Sequence, residues 1–289
     1  MSPRLLHRSL RVLHLIAAWG TIGYVYGTVP RSVAQVGFVP ILGLTGVAMW
    51  QLPGIRRSVR RHRDSAFFAE LATLPTMRAE GVARLWAGLT AVIGFAAVVA
   101  QLVLVVRDNL SAVGYFSYYT IDSNLIVIVL AAMFAIAPQR DSAGWRLASL
   151  IGLLSIAITG IVYTSVLQGL VELGGVGRVT NIVFHYLIPI VSVLGWLVLG
   201  SRGRWRPSTL GLAVLFPLAW LAYTLIRGAV VHTYPYPFVD VDQHGYAIVA
   251  RNCVAITVLF VIVGGVILLI DARAPSLRAR RHRAAVAVD

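Results

Sequence analysis

The chain has 289 residues, 58% of them hydrophobic and only 12% charged, with a mean hydropathy of +0.80. A soluble domain carries about 25% charged residues, so this balance excludes a soluble globular protein and specifies a polytopic membrane protein. The net charge of +14 comes from arginine, since the chain has no lysine. The arginines sit in short loops beside apolar segments, which marks topology rather than nucleic-acid binding. Membrane lipids, not nucleic acid, are the expected partners. A single cysteine, Cys253, excludes an intramolecular disulfide and a cysteine-based metal cluster.

A helix crossing about 30 Å of hydrocarbon needs roughly 20 apolar residues. In chain order eight runs reach that length: 11–29, 33–53, 86–106, 116–137, 146–169, 180–200, 209–231 and 248–270. The predicted fold is an all-α transmembrane helix bundle of about eight spans. The first run is interrupted by His14, Thr21 and Thr28 and lacks a clear small-residue cleavage site, so it is read as a retained helix. Residues 1–53 then form a two-helix extension and 54–85 a basic cytoplasmic linker. Residues 86–271 form a six-helix core and 272–289 a basic cytoplasmic tail. The basic run at 55–63 is read as an anchor to anionic head groups. His7 and His14 would need a facing histidine on the second span to hold haem, and there is none; no cofactor is expected.

Twenty of the 25 arginines fall on one side of this even-numbered bundle, and Arg31, Arg107, Arg178, Arg227 and Arg251 make up the rest. The positive-inside rule therefore puts both termini in the cytoplasm. Trp50, Trp86, Trp145 and Trp205 fall near the cytoplasmic ends, where an interfacial aromatic belt is expected.

Polar groups inside spans are costly and usually face the bundle interior or a cavity. Two stand out. Thr120 lies about one turn below the outer surface in Tyr118-Tyr119-Thr120-Ile121-Asp122-Ser123-Asn124, and His185 lies one to two turns deep in Asn181-Ile182-Val183-Phe184-His185-Tyr186-Leu187-Ile188-Pro189. Asn124 follows Thr120 by four residues and Asn181 precedes His185 by four, so each asparagine shares a helical face with its partner. Tyr163, Thr164, Gln168, Tyr223, Arg227, Arg251 and Asn252 gather at the same level, which predicts a polar pocket open toward the outer leaflet. The loop from His232 to Tyr246 is stiffened by Pro235 and Pro237 and rich in aromatics, as an interfacial lid would be. Its His232, Asp240, Asp242 and His244 have metal-ligand chemistry, but their spacing matches no standard site and no metal is assigned.

The stretch Tyr118 to Asn124, the Asn181-x-x-x-His185 element before Pro189, and Tyr-Pro-Tyr-Pro-Phe at 234–238 resemble the androgen-induced protein family of membrane hydrolases. The similarity covers about residues 86–271 and is nearest the uncharacterised six-helix bacterial members of that group. It implies a bacterial inner (plasma) membrane protein. It also implies Thr120 as nucleophile, His185 as a required partner, and a substrate among fatty-acid esters of hydroxy fatty acids. Residues 1–85 fall outside it, as an added hairpin or a start site placed too early.

The chemistry behind that implication is simple. A threonine hydroxyl is a weak nucleophile and needs a base such as imidazole as it attacks a carbonyl. The oxyanion formed needs donors, for which Asn124 is the first candidate, with Tyr223 or Arg251 beside it. Asp122 lies about 200° around the helix from Thr120, a poor orienting partner for His185 at about 100° per residue. Two other readings stay open. A transporter or binding protein for a small solute or lipid would hold a ligand in the same pocket without reacting, and a scaffold would have no such site.

Overall fold

Where no water reaches the backbone, an apolar run must satisfy every N–H and C=O within itself, which makes it a helix. The computed structural model describes residues 76–273, and the pattern holds throughout that range. Helix α1 spans Thr76–Arg107, α2 Ala112–Phe116, α3 Tyr119–Ile136 and α4 Ala143–Val162, which continues through a π turn at Tyr163–Leu167. Helix α5 spans Gly175–Ile182 and runs through a second π turn, Val183–Leu187, into α6, Ile188–Leu199. Helices α7 (Pro207–Ala213) and α8 (Leu215–Val231) follow, then a 3-10 turn at Pro237–Val239 and α9 (Val241–Arg273).

Six of the resulting segments are long and apolar enough to cross a membrane: Glu80–Arg107, Tyr119–Ile136, Ala143–Leu167, Gly175–Leu199, Pro207–Val231 and Val241–Arg273. The protein is a multi-pass, all-helical membrane protein in its described residues. These six correspond to the six core runs read from the sequence. The runs 11–29 and 33–53, the basic run 55–63 and residues 274–289 lie outside the described residues. Helix α1 begins at Thr76, so part of the segment assigned to the linker is helical. Outward faces carry bare aliphatic and aromatic side chains, such as Val92, Phe95, Val99 and Val103 on α1. Such faces suit contact with lipid tails.

Among the described residues, 76–160 and 169–273 belong to one compact unit and 161–168 to another. In that short segment the Gln168 amide donates to the Tyr163 carbonyl at 2.8 Å and Thr164 Oγ1 to the Ile161 carbonyl at 3.0 Å. Within the larger unit α1 packs most extensively on α3. Ala97, Val98 and Val105 of α1 meet Tyr115 of α2, Ile121 and Ile128 of α3, and Phe184 of the second π turn.

The arginine-rich end of the bundle is tied by charge and by main chain. Asp141 meets Arg146 at 2.6 Å and Arg204 at 2.7 Å, and the Arg146 hydrogen bond, then Arg204, holds its carboxyl below the usual range. Asp271, only 1% exposed, accepts the amides of Arg204 (2.7 Å) and Trp205 (3.1 Å) on Oδ2. Asp271→Ala should lower stability by about 2–3 kcal/mol, because two amides lose their acceptor; thermal unfolding in detergent measures it. The tryptophans near these span ends are held by packing and hydrogen bonds. Trp145 is 9% exposed, Trp86 Nε1 donates to the Val191 carbonyl (3.0 Å) and Trp205 Nε1 to the Arg146 carbonyl (2.8 Å). Trp86 is 39% exposed, and Trp50 lies outside the described residues.

Candidate active site

Helix α3 starts without the usual side-chain cap. Its N-cap is Tyr118, which makes no capping hydrogen bond, so the first amides of the helix need partners from elsewhere. The Thr120 amide finds one far along the chain, donating to the Tyr236 hydroxyl at 3.0 Å. The Thr120 carbonyl accepts from Ser123 Oγ (3.0 Å) and from Asn124 Nδ2 (2.7 Å). With its amide and carbonyl both bonded, the backbone at Thr120 is fixed, and a β-branched side chain on a fixed backbone has few rotamers.

That rotamer is unusual for a membrane helix. A helical threonine commonly bonds its own i−4 carbonyl, as Thr90 does to Trp86 (2.8 Å) and Thr257 to Cys253 (2.8 Å). Thr120 Oγ1 instead lies 3.2 Å from His185 Nε2 and 3.0 Å from the Tyr236 hydroxyl. The side chain itself is 7% exposed.

His185 comes from the π turn Val183–Leu187, where the Ile188 amide reaches back to the Val183 carbonyl. A π turn widens the helix by one residue and re-aims the side chains it carries. Pro189 follows at once and has no amide to give to the His185 carbonyl. Gly160 of α4 packs there: a Cβ on it would lie 3.0 Å from Pro189 Cβ and 3.4 Å from the His185 carbonyl oxygen. Asn124 Nδ2 also reaches the Phe184 carbonyl at 3.3 Å, which ties α3 to the π turn.

The direction of each hydrogen bond follows from partner chemistry. His185 Nδ1 lies 3.1 Å from the Asn181 carbonyl oxygen. A carbonyl only accepts, so Nδ1 carries the proton and Nε2 of the neutral ring is left as an acceptor. Thr120 therefore donates its hydroxyl proton to Nε2, and its oxygen accepts from the Tyr236 hydroxyl. The phenol stays protonated, since burial pushes Tyr236 above its ordinary pKa. The result is a directed chain from Tyr236 through Thr120 and His185 to a main-chain carbonyl. It is the arrangement of a hydroxyl nucleophile, a base and a base-orienting group.

Tyr236 is the site residue that sequence reasoning missed. It lies in the Tyr-Pro-Tyr-Pro-Phe loop, where the aromatics read as an interfacial lid, yet the ring is 7% exposed and enclosed. It stacks on Phe238 (centroids 5.2 Å, 4° apart), meets Tyr118 edge-on at 5.4 Å and leans on Trp220 at 5.9 Å. Its flanking prolines were the available signal, because they fix the backbone on both sides. The loop is pinned further by Arg227 on the Thr233 carbonyl (3.2 Å), Asn252 on the Phe238 carbonyl (3.0 Å) and His232 on Asp242 (2.9 Å). Tyr234 lies flat against Gly228, where any Cβ would overlap its ring. Gly228→Val should displace Tyr234 and swing Tyr236 off Thr120. Thermal unfolding in detergent should show Gly228→Val less stable, and Tyr236→Phe should lower stability less in that background than in the native chain, because the Thr120 contact is already lost.

The other predicted site residues fall around this chain rather than in it. Asn124 is fully buried, but its amide hydrogens go to two carbonyls, which leaves it a brace of the site instead of an oxyanion donor. Asn181 joins through its carbonyl. Tyr223 bonds Ser117 Oγ at 2.9 Å, and Arg227 holds the loop. Arg251 is exposed and makes no hydrogen bond to the site among the described residues. Tyr163, Thr164 and Gln168 belong to the other compact unit. Among the described residues no three His, Cys, Asp or Glu side chains converge as metal ligands. Against known proteins, no family, no curated protein and no solved structure matches this chain.

Proposed function

We propose that this protein is an intramembrane hydrolase of lipid carboxylic esters, with Thr120 as nucleophile and His185 as base. The single observation that carries the reading is the 3.2 Å contact between Thr120 Oγ1 and His185 Nε2, with Nδ1 held on the Asn181 carbonyl. In the first half-reaction Oγ1 attacks the acyl carbon as its proton passes to Nε2. The Tyr236 hydroxyl, 3.0 Å from Oγ1, turns to the oxyanion. Collapse expels the alcohol, which takes the proton from Nε2 and leaves an acyl-threonine. Water then attacks that ester, giving its proton to Nε2, and the second collapse releases the acid and returns the proton to Thr120.

Thr120 is too enclosed for a carbonyl to reach it while Tyr236 stands over it. The loop 232–240 therefore opens to admit substrate and closes again to bring the Tyr236 hydroxyl back beside Oγ1, a gating step common in enzymes with covered sites. The membrane setting we infer has about eight spans, both termini cytoplasmic, and the site in the outer half of a bacterial plasma-membrane bundle. The span count rests on the apolar runs, the orientation on the arginine distribution, and the bacterial plasma membrane on the family resemblance. The substrate proposed within the ester class, fatty-acid esters of hydroxy fatty acids, rests on the resemblance to the androgen-induced protein family.

A transporter or ligand-binding protein would hold a ligand at this pair without forming a bond to Thr120. The discriminating measurement is acid-quenched mass spectrometry of purified protein incubated with a lipid ester. An acyl adduct on the Thr120 peptide, absent in His185→Ala, is expected. Ester turnover with no adduct, unchanged in His185→Ala, overturns the mechanism.

A further inference from the structure

A cavity lies away from Thr120, toward the arginine-rich end, between α1, α3, α4 and α6, with a volume of about 210 Å³. Val127 on its wall packs with Ile156 and Ile188 in an apolar cluster. Its walls are mostly hydrocarbon and indole, including Trp86, Leu130, Phe134 and Trp196.

Two donors on its wall have no acceptor. Ser192 Oγ and Trp196 Nε1 are both buried, and among the described residues neither finds a hydrogen-bond partner. They are four residues apart on α6, hence one turn apart on one face, and both line the cavity. The contrast with the neighbouring indoles matters, since Trp86 and Trp205 give their N–H groups to carbonyls. The Trp196 ring is also held in place, with the Arg202 guanidinium 4.6 Å over its face and Trp205 at 5.8 Å.

Indole N–H can only donate, so what belongs there is an acceptor. The surrounding walls require that the acceptor be attached to an apolar chain. Drug-sized sites run to about 300–1,000 Å³, so this one takes one chain and not two. The Arg202 guanidinium stands over the Trp196 ring and gives Nη1 and Nη2 to the Trp196 and Leu197 carbonyls, with buried Asp271 as its neighbouring counter-charge. We propose that this cavity binds a long-chain carboxylic acid, whose carboxylate accepts from Ser192 Oγ and Trp196 Nε1 and whose chain lies along Trp86 and Phe134. The site is separate from the reaction at Thr120 and does not depend on it.

The test titrates the purified full chain in detergent with a bromine-labelled long-chain fatty acid and follows tryptophan emission. Saturable quenching is expected. Ser192→Ala and Trp196→Phe, which keeps Trp86, Trp145 and Trp205 as reporters, should each weaken binding about fivefold, as one lost hydrogen bond does. Ala131→Phe fills the cavity and should abolish saturable quenching; the two milder variants decide the matter if it fails to fold. A bromine-labelled alkane or diacyl phospholipid should not saturate. Equal binding of the alkane or the phospholipid overturns the assignment, as does quenching that rises without saturation or is unchanged in Ser192→Ala and Trp196→Phe.

Discussion

Thr120→Ala should lower ester hydrolysis by about 10³–10⁴-fold, and His185→Ala by a similar factor, with the double variant little worse than either. The non-additivity is the informative part. Two residues that act as one nucleophile–base unit lose the same step when either is removed, whereas two independent binding contacts would lose the product of their effects. Thr120→Ser keeps the hydroxyl and the amide and should retain much of the rate. The folded state should survive these changes. Thr120→Ala leaves the amide on Tyr236 and the carbonyl on Ser123 and Asn124, all of which are main-chain contacts. Initial rates on a lipid ester in mixed micelles, read beside unfolding temperature for each variant, separate lost chemistry from lost structure.

Tyr236→Phe should cost about 10²–10³ in kcat, the usual loss when an oxyanion donor is removed. It should also cost about 1–3 kcal/mol of stability, because the Thr120 amide at the start of α3 is left without an acceptor. The ring stays, so Phe238, Tyr118 and Trp220 keep their packing partner. The two effects can be told apart. A loss confined to stability, with kcat per folded molecule unchanged, would make Tyr236 a helix cap and nothing more. A drop in kcat at constant folded fraction places its hydroxyl in the reaction.

The six described spans were legible because hydrophobic length is a one-dimensional property, and a run such as Leu89 to Val106 has no other stable state in lipid. Thr120 and His185 were legible as a pair because polar groups in apolar runs are costly and because depth can be counted along a helix. Rotation was harder. Counting four residues back from His185 finds Asn181, but only the π turn decides that the ring meets its carbonyl. Asn124 was placed on the correct face, yet the face alone does not tell which acceptors claim its amide. Tyr236 lies 116 residues from Thr120. A contact at that separation depends on how α3 and the 232–240 loop come together, which no local pattern encodes.

The orienting group of His185 is a peptide oxygen, and that changes how the site can be found and altered. Exchanging residue 181 for any other amino acid replaces a side chain and leaves the oxygen where it was. Scanning mutagenesis of every acidic residue in the bundle would therefore report a dyad, and a template search built on a carboxylate third member would pass over the chain. To weaken that link chemically, the peptide unit itself must change, for instance by a backbone ester that alters its carbonyl, or the π turn must be straightened by deleting one residue between Val183 and Leu187.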